Sequence, residues 1–263
     1  MEIPFQLQNL LQEYTKLVVE GLGEKVHGVY VYGSIALGGY EESNSDIDFI
    51  TILNDQPDDI NFKRMVEIHQ NLQEKFEIAK KMDGSYIQKA DIGLLNDKLS
   101  PYPFVNDGVI RKGHWDINYV TWWVLKTKGI TLYGPSIREM DIPVSWDHVE
   151  ETMNYNIHQY WKKRIERVDS SIDDVDVADS VLTLCRIYFT LTGKIIIPKV
   201  KAGESLLERE EFREWSSVIR EAIRIRKGNN QVSEISSKQA RVEKVVQFVS
   251  HMIDTCSKIV TSR

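Results

Sequence analysis

Residues 31–53 read VYGSIALGGYEESNSDIDFITIL: an apolar, β-branched run stops at Gly33-Ser34, eleven residues follow, and a second apolar run opens with Asp46-Ile47-Asp48. Side chains two residues apart in a strand leave from one face, so Asp46 and Asp48 point together while Ile47 and Phe49 face the core. Two carboxylates a few ångströms apart resist joint ionisation unless a cation stands between them. A hard divalent cation such as Mg²⁺ takes oxygen ligands of this kind. A solvated strand end is the plain alternative for an isolated Asp-x-Asp. Here the preceding strand ends on Gly-Ser, which favours a built site. Gly33 lets the backbone approach a ligand closely, and Ser34, placed as a helix N-cap, offers its hydroxyl and neighbouring N–H groups to a phosphate.

The rest of the chain sets these residues in a frame. Phe5, Leu7, Leu10, Leu11, Tyr14, Leu17 and Val18 recur at helical spacing and predict a first helix. Strands are predicted at VHGVYVYGS, DIDFITIL, GSYIQ and DIGLL, with a helix from about Ile60 to Lys80 between the second and third. Such alternation within about 100 residues argues for an α/β or α+β domain with a small sheet. Beyond VTWWVLKTKG, where Gly129 is a plausible C-cap, the periodicity is mainly helical. Segments 146–168, 176–194, 204–227 and 234–260 predict an all-helical second domain of four or five helices, with the boundary between Gly134 and Val144.

Charge and composition exclude several classes of function. The 33 basic and 39 acidic residues give a net charge of −6, which disfavours a nucleic-acid footprint and mildly favours cationic ligands. The opening residues lack a basic n-region and a long apolar run, and no later stretch approaches a membrane span, so the expected location is the cytoplasm and no membrane partner is expected. Cys185 and Cys256 lack metal-ligand spacing and read as buried, reduced thiols. His114, His148 and His158 show no dyad or metal spacing, and Trp115, Trp122, Trp123, Trp161 and Trp215 read as packing residues.

Gly33-Ser34, eleven residues, Asp46-Ile47-Asp48 resembles the signature of the nucleotidyltransferase superfamily whose core is like that of DNA polymerase β. Over most of its length the chain resembles the aminoglycoside adenylyltransferases that modify streptomycin and spectinomycin. The likeness continues through LYGP at 132–135 and VLTLCRIYFTLTGKIIIPK at 181–199. With the periodicity, the resemblance implies an α+β architecture: a nucleotidyltransferase domain over 1–143 with a small mixed sheet, then a helical bundle over 144–263 that closes a cleft for ATP, Mg²⁺ and the acceptor. The activity implied is transfer of AMP from ATP to a hydroxyl of an aminoglycoside or aminocyclitol, with release of pyrophosphate.

The resemblance also implies roles. Asp46 and Asp48 would bind two Mg²⁺ ions, and Gly33 and Ser34 the triphosphate. Family members carry a glutamate on a following strand as general base, and MDGSYI offers Asp83, one methylene shorter; Asp91 in KADIGLL competes with it. The similar proteins supply an arginine and a lysine to the triphosphate, here Arg186 and Lys199, for which a helix-face ion pair and a solvated loop lysine are the structural alternatives. The positions matching Asp176 and Asp179 would meet the cationic acceptor, against a simple helix-cap role for each. Two other classes stay open, a nucleotidyltransferase acting on a protein, RNA or metabolite, and a silent nucleotide-binding protein.

Overall fold

Leu7, Leu10, Leu11, Tyr14 and Val18 share one face of the first helix, α1 (Phe5–Leu22), and all five are fully buried, whereas Phe5 at its start stands in solvent. α1 opens a computed structural model that describes residues 2–165, 172–230 and 232–261. The elements that follow are β1 (Val26–Val31), α2 (Gly33–Leu37), β2 (Ile47–Leu53), α3 (Asp59–Lys75), β3 (Met82–Gln88), β4 (Tyr102–Asn106), β5 (Val109–Gly113), α4 (Tyr119–Lys128) and β6 (Ile130–Tyr133). The strands form one six-stranded sheet in the order β5-β4-β3-β2-β1-β6. Only β2 and β3 run parallel, joined by α3 as a crossover, and every other neighbouring pair is antiparallel.

Local chemistry fixes where these elements start. Asp58 and Asn61 form a reciprocal capping box at α3, and the Asn118 side chain accepts from the N–H groups of Val120 and Thr121 at α4. Alternate residues of the strands feed two separate apolar clusters. Ile47, Phe49 and Leu53 pack with Leu7, Tyr14 and Leu72, and Ile50, Ile52 and Ile87 pack with Trp122 and Leu125. Polar groups in the first layer are paired: Tyr14 Oη lies 2.7 Å from Thr51 Oγ1, and His69 Nε2 lies 2.9 Å from Tyr86 Oη.

One sequence expectation fails in this region, and one hairpin goes unforeseen. DIGLL is not a strand: a 3-10 turn at Lys89–Asp91 and the positive φ of Gly93 (+86°) bend the chain away, and the Leu94 carbonyl accepts from the Trp122 indole. The partner of β3 is instead the β4–β5 hairpin, which the periodicity did not reveal because Val109–Gly113 is mostly exposed and polar.

The chain divides into two compact units, Met1–Tyr40 with Ser45–Ser145, and Glu41–Asn44 with Trp146–Arg263. The second is helical in its described residues: α5 (Trp146–Tyr155), a π-helical stretch (Asn156–Trp161), α6 (Lys162–Ile165), α7 (Asp174–Gly193), α8 (Lys199–Leu207), α9 (Ser216–Arg226) and α10 (Lys238–Thr261). Segment 204–227, expected as one helix, is two. The charged run Glu208–Glu211 offers nothing to bury, and a 3-10 stretch (Glu210–Trp215) separates α8 from α9. α7 is buried along most of its length through Val177, Val181, Leu184, Cys185 and Leu191. Cys185 and Cys256 are both buried and unbridged. Asn44 Nδ2 donates to the carbonyls of Ile225 (2.9 Å) and Arg226 (3.2 Å) at the end of α9, so residues 41–44 belong to this unit although they lie between α2 and β2 in sequence. Among the described residues no helix is long and apolar enough to cross a membrane.

Glu221 is the buried charge of the second unit. Its carboxylate takes two hydrogen bonds of 2.9 Å from Arg224 and a third of 3.3 Å from Arg241, which also pairs with Asp174 at 2.7 Å. Hydrogen bonding from Arg224, aided by Arg241 and opposed by burial, holds Glu221 below its ordinary value of 4.5. Glu221→Gln leaves both guanidinium groups short of a counter-charge and should cost about 3 kcal/mol in urea unfolding at pH 7. A carboxyl lowered by folding stabilises above its unfolded value and loses that contribution as pH falls through the folded one. The gap between wild type and variant should therefore narrow below about pH 4.5, and a gap indifferent to pH would contradict the network.

Candidate active site

Parallel pairing of β2 with β3 places Asp48 directly beside Asp83, the two being register partners at the first turns of their strands. Gly33, at φ +59°, passes so close to Asp48 that a Cβ on it would lie 1.9 Å from Asp48 Oδ2. Only glycine fits here. The N–H of Ser34 donates to the same oxygen at 3.4 Å, and the N–H of Tyr32 donates to the Asp48 carbonyl at 3.1 Å. Ser34 is not the helix N-cap that its sequence position suggested. α2 starts two residues earlier, with Tyr32 in the cap position, so the Ser34 hydroxyl lies inside the first turn, buried and without a hydrogen-bond partner. A buried, unpaired hydroxyl beside a carboxylate suits a site that takes up a polar ligand.

The electrostatics agree. Burial, reinforced by repulsion from Asp46 and Asp83, pushes the Asp48 carboxyl up to about 8. Asp46 precedes β2 and is exposed. Burial likewise raises Asp83 to about 6, with hydrogen bonds from Trp115 and Asn106 working against the rise and Asp46 and Asp116 adding to it. Four carboxylates therefore act on one another at this end of the sheet. Among the described residues no three His, Cys, Asp or Glu side chains are gathered closely enough to hold a metal by themselves. The donors are nevertheless all oxygens and lie next to an unpaired hydroxyl, which fits a hard divalent cation and disfavours a soft-metal site.

Asp91, the competing base, lies in the 3-10 turn beyond the far end of β3, a strand's length from Asp83. The structure does not bring it to this group. Three residues that the sequence did not mark do arrive there. The Trp115 indole N–H donates to Asp83 Oδ1 at 2.7 Å, the Asn106 amide faces Asp83 Oδ2 at 3.5 Å, and Asp116 adds charge. The sequence suggests a core or interface role for Trp115. Its stacking on Phe104, with ring centroids 5.3 Å apart and planes 7° from parallel, is packing, and its N–H does the rest.

The second unit gathers the other sequence candidates. Lys199, the first residue of α8, is no loop lysine: its ammonium pairs with Asp179. Arg164 pairs with Asp176, donates to Tyr160 Oη at 2.9 Å and lies over the rings of Tyr160 and Trp161. Burial works to raise Asp179, yet Lys199, with Arg164 and Arg186 near by, holds it below the ordinary carboxylate value. The cap role weighed for Asp176 and Asp179 belongs to Asp173, whose carboxylate accepts from the Asp176 N–H at 2.8 Å. Arg186, Lys199, Asp176 and Asp179 thus form one charged group around the first half of α7.

A family model described as polymerase beta, nucleotidyltransferase, matches residues 7–100, and one described as aminoglycoside adenylyltransferase, C-terminal domain, matches residues 149–254. Among solved structures, spectinomycin adenyltransferase AAD(9) from Enterococcus faecialis, crystallised with ATP and spectinomycin, is similar at a TM-score of 0.65. It shares 20% identity over 94% of this chain and 98% of that one, a likeness that establishes the fold. A toxin–antitoxin structure with AMP-PNP, at a TM-score of 0.29, 18% identity and coverage of 59% of this chain and 94% of that one, is too distant to bear on either fold or site. No curated protein matches the sequence.

Crowded negative charge costs stability, and that cost can be measured. A carboxyl raised by folding is penalised in its charged form. The penalty is absent below the unfolded value of 3.8 and grows as pH rises toward about 8. Asp48→Asn should therefore melt about 3 °C or more above wild type at pH 7 in EDTA, with the difference shrinking toward pH 4. A variant that melts below wild type under these conditions would show that Asp48 is paired and not strained.

Proposed function

Because the chain belongs to the aminoglycoside adenylyltransferase family and is a nucleotidyltransferase, we propose that it transfers AMP from ATP to a hydroxyl of a cationic aminocyclitol or aminoglycoside of the spectinomycin or streptomycin type, releasing pyrophosphate. The observation that carries this reading is the strand register that sets Asp48 beside Asp83 against Gly33-Ser34. A chain of the same fold binds ATP and spectinomycin, which supports both the co-substrate and the class of acceptor.

Each residue then has a task. Asp46 and Asp48 would hold two Mg²⁺ ions, which supply charge neutralisation for the phosphates and for the attacking oxygen. Gly33 leaves room for the phosphates beside Asp48, and Ser34 offers them its unpaired hydroxyl. Asp83 takes the proton of the acceptor hydroxyl as that oxygen attacks the α-phosphorus, and a carboxyl poised at about 6 is suited to do so near neutral pH. Arg186 and Lys199 bind the triphosphate, and Asp176 and Asp179 meet the cationic acceptor once they exchange their present partners Arg164 and Lys199. The reaction belongs to the cytoplasm, where ATP is supplied.

Pyrophosphate release from ATP and Mg²⁺, measured against spectinomycin, streptomycin and kanamycin-type drugs with a control lacking acceptor, should depend on one drug and disappear in Asp46→Asn. Release that survives in this variant would remove the metal assignment. In the same assay Asp83→Asn should lower kcat about 100-fold or more with little change in the KM for ATP, whereas Asp91→Asn should match wild type. The reverse pattern would transfer the base to Asp91.

A further inference from the structure

The Asp83 carboxylate is held by a neutral, rigid side-chain donor. Trp115 Nε1–H lies 2.7 Å from Oδ1, within ordinary hydrogen-bond distance, while the nearest donor to Oδ2, Asn106 Nδ2, stands off at 3.5 Å. The indole is itself fixed on three sides. Its ring stacks on Phe104, its backbone N–H donates to Tyr102 Oη at 2.8 Å, and its carbonyl accepts from the Asn96 amide. The Tyr102 hydroxyl in turn donates to Asn96 Oδ1 at 2.8 Å, which closes the ring of contacts. Tyr102, Phe104 and Asn106 belong to β4, and Trp115 follows β5, so the β4–β5 hairpin carries most of the support, with Asn96 joining from the segment before β4.

We propose that Trp115 is a positioning residue for the general base: its indole N–H occupies Oδ1 of Asp83 and fixes the carboxylate rotamer so that Oδ2 alone receives the acceptor's proton. The inference rests on the function proposed for Asp83. In the step itself, the acceptor oxygen forms a bond to the α-phosphorus, the bond from that phosphorus to the bridging oxygen of pyrophosphate breaks, and the hydroxyl proton passes to Oδ2. An aspartate reaches one methylene less far than a glutamate, so its angle to the substrate has less slack. A rigid aromatic donor bonded at one oxygen removes the rotation that would otherwise carry the second oxygen out of line.

Trp115→Phe keeps an aromatic ring to stack on Phe104 and removes the donor together with the five-membered ring that carries it. In wild type of demonstrated activity, it should lower kcat at least 10-fold with the KM for ATP within twofold and the melting temperature unchanged, and it should add nothing further in an Asp83→Asn background. A Trp115→Phe enzyme with wild-type kcat, or one whose loss persists in the Asp83→Asn background, overturns the proposal. A second readout needs no acceptor. In the ¹⁵N spectrum the indole N–H signal that vanishes in Trp115→Phe should move upfield in Asp83→Ala and stay in place when Mg²⁺ and a non-hydrolysable ATP analogue are added. A signal indifferent to Asp83→Ala, or one released by the nucleotide, also overturns the proposal. If no drug elicits turnover while the indole signal behaves as expected, the acceptor assignment has failed and the pairing of Trp115 with Asp83 has not.

Discussion

Crowded negative charge at one end of a sheet is the constraint around which the first unit is organised. Asp48 and Asp83 cannot avoid each other, because the parallel pairing of β2 and β3 puts them in register, and Asp46 and Asp116 add to the same field. Such an arrangement persists only if the surrounding fold over-determines it. Two buried apolar layers, one on each side of the sheet, and a backbone that comes to within contact of Asp48 at Gly33 supply that rigidity.

The second unit handles charge in the opposite manner. Among the described residues Glu221 is as deeply buried as any acid, yet it is matched by Arg224 and Arg241, and the latter reaches on to Asp174. Around the first half of α7 the acids and bases are also paired with one another, Asp176 with Arg164 and Asp179 with Lys199. Partners that hold each other in the absence of a ligand can be exchanged for a charged ligand at small net cost, since one ion pair replaces another. Asp48 and Asp83 instead repel each other, and a cation between them relieves that repulsion.

How much of this was legible in the sequence depended on range. Period-two and period-3.6 patterns located α1, β1, β2, α3, β3 and the helical character of the second unit, because those segments bury a continuous face. Asp46, Asp48, Gly33 and Ser34 could be grouped because a short strand–turn–strand connection brings them together. The β4–β5 hairpin was missed, since Val109–Gly113 lies at the sheet edge with little to bury, and with it were missed Asn106 and the role of the Trp115 indole. No local signal marks a tryptophan as the hydrogen-bond donor to a residue 32 positions away; only the register of β3 against β4 makes that contact. Asp91 competed with Asp83 in sequence, behind it in rank, and is separated from it by most of β3.

The four residues Glu41–Asn44 give the chain a property that neither half shows alone. They leave the first unit between α2 and β2 and lie against the end of α9, where Asn44 satisfies two helix-terminal carbonyls and Ser43 packs against Gly228, itself at a φ of +63°. A single scission after Ser145 therefore cannot release two whole bodies. The carboxyl-terminal fragment would lose the donor to Ile225 and Arg226, and the amino-terminal fragment would carry a loop cut off from its anchor. Gene fusions, split reporters or limited proteolysis that treat this protein as two beads on a string would be cutting through a stitch.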